Sequence, residues 1–199
     1  MSNIKFCAWD IGLPRTGTTT FCKAVELLGY TKVNHNPRFE HLQDLQAAAD
    51  AGCVQYYKYL DFKYPNSKFI LALRDIDSWL ASAEFIYTKY PATDKDIAIV
   101  RRMHIYESVT FDREKFRDAY YRHHEDVRRY FKNRPHDLLE INIIGGEGWE
   151  KLCPFLEIPI PEVDFPHTNK RTDPYPDAKP ASQVDSEHRE SSHALAMQP

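Results

Sequence analysis

Residues 12–20, Gly12-Leu13-Pro14-Arg15-Thr16-Gly17-Thr18-Thr19-Thr20, set an arginine between two glycines and three consecutive hydroxyls after the second. In a nucleotide-hydrolysing loop of the form GxxxxGK[ST], backbone N–H groups and the lysine hold the β- and γ-phosphates, while the hydroxyl holds magnesium. Here the glycine spacing is kept, Thr18 stands at the lysine position, and the cation has moved inside the loop as Arg15. Such a set suits an anion that needs hydrogen-bond donors more than a metal, and sulfate is one. The plainer use of these threonines is a helix cap, but a cap needs one hydroxyl. Arg15, Thr16, Gly17, Thr18, Thr19 and Thr20 are therefore candidate anion ligands.

A second segment, SKFILALRDIDSWLASA at residues 67–83, carries Arg74 and, two helical turns later, Ser82. Arg74 leaves an apolar run of strand length at its carboxyl end, the edge at which open α/β sheets bind ligands. Its plainer alternative is a surface ion pair with Asp75 or Asp77. His35, in VNHNPRF, accepts a proton near neutrality without tuning. His123 and His124, in RHHEDVRR, read as a solvated helix face. Lys58, in YYKYL, either meets a transferring group or lays its stem along neighbouring aromatics.

The elements that must position these residues alternate between strand and helix. An apolar run over residues 4–11 leads into the loop, and Phe21, Ala24, Val25 and Leu28 recur at helical spacing before Gly29. Residues 38–50 and 54–63 read as helices separated near Gly52. A buried strand follows over 69–73, then a helix near 78–87. Residues 94–132 are helical in two pieces, with a cap at Thr110-Phe111-Asp112. Residues 137–143 form a third strand candidate and 147–156 a last helix. The pattern implies an α/β fold with a P-loop-type parallel sheet and helices on both faces, in a single domain over residues 1–171. From 172 to 199 the prolines and polar residues predict a disordered tail.

The chain has 199 residues, 42% hydrophobic, enough for one substantial core and cramped for two. With 26 basic and 29 acidic residues the formal charge is −3, so no global basic field draws it to nucleic acid or an anionic membrane, and any anion site must be local. The N-terminus enters a strand pattern directly and no run of 18 apolar residues occurs, which predicts a cytoplasmic protein without a membrane partner. Cys7, Cys22, Cys53 and Cys153 lack ligand spacing and read as reduced thiols in or near the core.

Taken together, PRTGTTT and RDxxxWxxS resemble the sulfotransferases that use 3′-phosphoadenosine 5′-phosphosulfate (PAPS), and most closely their compact, largely bacterial branch. "GLPRTGTTT", "YPNSKFILALRDIDSWLAS", "RHHEDVRRYF" and "GWEKLCPFLEIPIPEVDFP" extend the similarity over about residues 4–169. The resemblance implies transfer of a sulfonate from PAPS to a hydroxyl or amine of a small molecule, with no metal. It gives the 5′-phosphosulfate to Arg15 and the loop, the adenosine 3′-phosphate to Arg74 and Ser82, and the role of catalytic base to Asp50. Where the branch usually has a proline two residues after that base, this chain has Gly52, and His35 is the rival base. Asn169, Lys170 and Arg171 stand where relatives return a loop over the 3′-phosphate. Two other readings stay open: a P-loop small-molecule kinase, against which the missing lysine and Arg74 in place of a magnesium-binding aspartate speak, and a non-catalytic protein that binds the nucleotide product PAP.

Overall fold

The computed structural model describes residues 4–92 and 97–168, and the fold is that of the first of two units, Met1–Pro166. Its centre is β1 (Ala8–Asp10), followed by α1 (Thr18–Leu27), β2 (Val33–His35), a 3-10 turn (Phe39–Leu42), β3 (Ala47–Ala49) and α2 (Ala51–Lys63). The chain then crosses to the other side of β1 as β4 (Lys68–Ala72), α3 (Ile76–Lys89), α4 (Ile97–Tyr106), α5 (Arg113–Phe131), β5 (Leu138–Ile141) and α6 (Trp149–Leu156). The strands form one sheet in the order β2-β3-β1-β4-β5, and all pairs are parallel.

Alternation along the strands builds two cores. Ala8, Ala47, Ala49, Ile70 and Ile141 face Phe21 and Val25 of α1 and Leu152 and Leu156 of α6. Trp9, Ala48, Phe69 and Leu71 face Tyr57 and Leu60 of α2 and Val127 and Phe131 of α5. Fully burying each large side chain contributes about 1.5–3 kcal/mol, and a sheet covered on both faces calls for apolar runs such as Ala47–Ala49 and residues 69–72 in its central strands. A third cluster, Leu13, Trp79, Leu80, Tyr106, Phe116 and Tyr120, joins the loop to α3, α4 and α5.

Two expectations are corrected. Residues 38–50 are not a helix: Ala47–Ala49 is a fully buried strand between β1 and β2. Alanine is the best helix former, but its helical preference amounts to under 1 kcal/mol per residue. Pairing on both edges and packing on both faces outweigh it. Gly52 likewise does not separate two helices; it lies in the first turn of α2. The expected cap is where it was placed, with Asp112 Oδ1 accepting from the N–H groups of Glu114 and Lys115, each at 3.1 Å. Among the described residues no helix is long and apolar enough to cross a membrane, and the four cysteines are free thiols, three of them buried. The boundary at 171/172, Asn169, Lys170, Arg171 and the tail from 172 lie outside the described residues.

Candidate active site

The strand order puts a switch point at β1, because the chain runs to one side of it through β2 and β3 and to the other through β4 and β5. Ligands of open α/β sheets bind in the crevice at such a point, beyond the carboxyl ends of the strands. Three neighbouring strands deliver the candidate residues there: β1 leads into the loop, β3 into Asp50, and β4 into Arg74.

The loop is tied down at each position. Gly17 caps α1 with φ +112°, where a side chain would be strained and would press on Ile143. Arg15 also has positive φ, +77°, a conformation that costs a non-glycine residue about 1–3 kcal/mol and persists only where its surroundings enforce it. They do so here. Arg74 Nη1 donates to the Arg15 carbonyl at 2.8 Å, Arg15 Nε donates to Ser82 Oγ at 3.2 Å, and Trp79 Nε1 donates to the Pro14 carbonyl at 2.9 Å. Thr16 is fully buried and its hydroxyl donates to the Leu13 carbonyl at 2.7 Å, so it closes the loop and does not face outward.

Arg74 makes neither of the ion pairs that were the plainer alternative. Asp75 caps α3 by accepting from the Ser78 N–H at 2.9 Å, Asp77 faces Arg113, and Arg74 Nε donates to Ser78 Oγ at 3.0 Å. Burial, and then the neighbouring Arg15 charge, hold the Arg74 guanidinium below its ordinary value. Two cations thus stand side by side at the positive end of α1, and neither forms an ion pair among the described residues. Beside Arg74 a cavity of about 530 Å³ is lined by Leu73, Tyr120, Tyr121, His124, Arg128 and Asn142, among others.

On the other side of the loop, Asp50 begins α2. Its Oδ1 accepts from the Ala51 N–H and its Oδ2 from the Thr18 hydroxyl, both at 2.8 Å. His35, at the end of β2, places Nε2 at 3.2 Å from Thr18 Oγ1, 3.3 Å from Thr19 Oγ1 and 3.5 Å from Asp50 Oδ2. The two rival bases therefore form one cluster. The departure at Gly52 has a steric cause: a Cβ there would collide with the Pro37 carbonyl oxygen. The Gly52 N–H donates to Asn36 Oδ1 at 3.3 Å, and buried Arg101 donates to the same oxygen at 2.6 Å, fastening the end of β2 to the start of α2.

Several neighbours were not foreseen. Arg101 sits on a helix pattern that gives no hint of its reach. Asp10, fully buried, accepts from the Gly12 N–H at 2.9 Å; a carboxylate closing an apolar run just before the loop was the signal for it. His123 and His124 do not form a solvated face: His124 is buried and the His123 ring donates from Nε2 to the Ile11 carbonyl at 2.7 Å. Burial lowers the pKa of both, that of His124 to about 3. Lys58 is exposed, its ammonium over the rings of Tyr57 and Tyr130.

Comparison with individual curated proteins gives no match. The sulfotransferase domain family matches residues 37–173, which include Asp50, Arg74 and Ser82 and begin after the loop. That segment exceeds half of the chain, its sheet and flanking helices are those of an α/β P-loop-type domain, and the chain belongs to the sulfotransferase family, transferases of sulfonate groups.

Proposed function

We propose that the protein transfers the sulfonate of PAPS to a hydroxyl or amine of a small-molecule acceptor, without a metal. The observation that carries this reading is the pair of guanidiniums, Arg15 and Arg74, set beside each other at the N-terminus of α1, neither in an ion pair among the described residues. Two like charges repel, and PAPS relieves that repulsion by giving its phosphosulfate to Arg15 and the loop N–H groups and its 3′-phosphate to Arg74. The donor set fits a phosphosulfate: it offers cations and hydrogen-bond donors. The cavity beside Arg74 is of the size that takes a small-molecule ligand.

PAPS supplies an activated sulfonate and a stable leaving group. In an in-line displacement the acceptor oxygen or nitrogen forms the new bond to sulfur while the sulfur–oxygen bond to PAP breaks, its electron pair leaving with PAP. Arg15 and the loop N–H groups face the charge that grows on the leaving oxygen, and such preorganised donors supply much of the rate enhancement in group transfer. Arg74 and Ser82 hold the 3′-phosphate. Asp50 takes the acceptor's proton on Oδ2, to which the Thr18 hydroxyl donates at the mouth of the loop. His35, within reach of the same hydroxyl, orients that carboxylate.

Calorimetric titration with PAP, with and without EDTA, tests the reading. Binding that survives chelation is expected, and binding abolished by EDTA counts against it. Labelled PAPS with a panel of hydroxyl and amine acceptors then separates an enzyme from a non-catalytic PAP-binding protein, for which no product would form.

A further inference from the structure

The carboxyl of Asp10 has no role in the mechanism above, yet it lies at the carboxyl end of β1, directly beneath the loop. It is fully buried. Oδ1 accepts from the Gly12 N–H, the first amide of the loop, while Oδ2 is buried with no hydrogen-bond partner among the described residues. An ionised carboxylate with one oxygen orphaned and no ion pair among the described residues is costly, whereas a protonated one buries less charge and still accepts from Gly12.

We propose that Asp10 is a protonated carboxyl forming the floor of the anion loop, a positioning residue whose ionisation sets a negative charge behind the loop and weakens the anion held there. The inference rests on the PAPS reading for the identity of that anion. The surroundings agree. Burial raises the Asp10 pKa to about 8; the Gly12 amide opposes it by more than the nearby Asp50 carboxylate adds, and the Ala72 amide opposes it least. The other titratable groups facing it are Cys22 on α1 and Cys53 on α2. Both thiols are held above their ordinary value, chiefly by burial, so neither ionises before Asp10. Arg101 is attracted by Asp50 and Cys53 and donates to Asn36, not to Asp10.

The test is PAP affinity by calorimetry from about pH 6.5 to 9.5 for the wild type and Asp10→Asn. Asparagine keeps the acceptor for Gly12 and imitates the neutral acid. Every other group is common to both proteins, so the difference between the two profiles reports Asp10 alone. The wild type should weaken by about tenfold relative to the variant across this range, the effect of a one-unit displacement of the Asp10 pKa by the bound anion. Parallel profiles overturn the proposal and leave the PAPS reading standing. No PAP binding at any pH overturns both. A carbon-13 NMR titration of the wild-type Asp10 carboxyl without ligand decides the matter independently, even if the variant does not fold. A carboxyl that stays protonated at neutral pH supports the proposal, and one already ionised at pH 6.5 sinks it.

Discussion

At the scale of single residues, the site divides into groups that bind and groups that move a proton. Arg74 belongs to the first. Its Nη1 also holds the strained Arg15 carbonyl, so Arg74→Ala removes a charge-assisted contact to the 3′-phosphate, worth about 1.5–3 kcal/mol, and loosens the loop as well. PAP binding should weaken by at least that amount, while adenosine 5′-phosphosulfate, which lacks the 3′-phosphate, should lose less. Equal losses measured by calorimetry would refute the assignment to the 3′-phosphate. Asp50 belongs to the second group. Asp50→Asn preserves the shape and the contacts to Ala51 and Thr18 but removes basicity, so kcat should fall by about a hundred- to ten-thousand-fold with PAP affinity kept. His35→Gln should cost far less if His35 only orients the carboxylate. The reverse pattern would make His35 the base.

At the scale of elements, the question is what holds Asp50 at the loop. The start of α2 is fixed by the close approach of Gly52 to the Pro37 carbonyl, and that oxygen belongs to backbone that cannot swing aside. Gly52→Ala should therefore destabilise the fold by about 1–3 kcal/mol, as overpacking does, and should move Asp50 off Thr18. A denaturant melt unchanged from the wild type would show that the 35–37 segment yields freely. The chain's sequence makes one side of this arrangement legible and leaves the other dark. The apolar runs into β1 and β4 and the glycine spacing announce the loop and Arg74, because strand and turn there agree with local propensity. Ala47–Ala49 is a strand only because β1 and β2 pair with it, a fact of tertiary contact that three alanines cannot signal. Hence Asp50 could be nominated from the family resemblance while its support, β3 behind it and the Asn36–Arg101 junction beside it, could not. The same limit hid His123, whose hydrogen bond to Ile11 joins residues far apart in the chain. A charged helix tells which residues are polar, not which of them face inward.

At the scale of the whole molecule, the buried titratable groups make stability depend on pH in two opposite windows. His124 is buried neutral, with a pKa lowered to about 3, mainly by burial and then by the charges of His123 and Arg128. The unfolded chain takes up its proton near the ordinary histidine value of about 6.5, so stability is full above that pH and is lost as pH falls toward 3. Asp10 acts the other way. Its folded pKa of about 8 lies above the unfolded value, so the unfolded chain releases a proton that the folded chain keeps. Stability from this group is present below about pH 4 and is lost as pH rises toward 8. Asp10→Asn removes that dependence without touching His124. Melting temperatures of the two proteins should therefore lie closest near pH 4 and separate as pH rises, the variant becoming the more stable, with the gap levelling off above about pH 8. Because His124 and the paired carboxylates contribute equally to both proteins, the difference curve isolates one buried group in the intact fold. A gap that does not change between about pH 4 and 8 would mean that Asp10 is ionised in the folded protein, and the orphaned oxygen beneath the loop would then need a cation or a water to account for it.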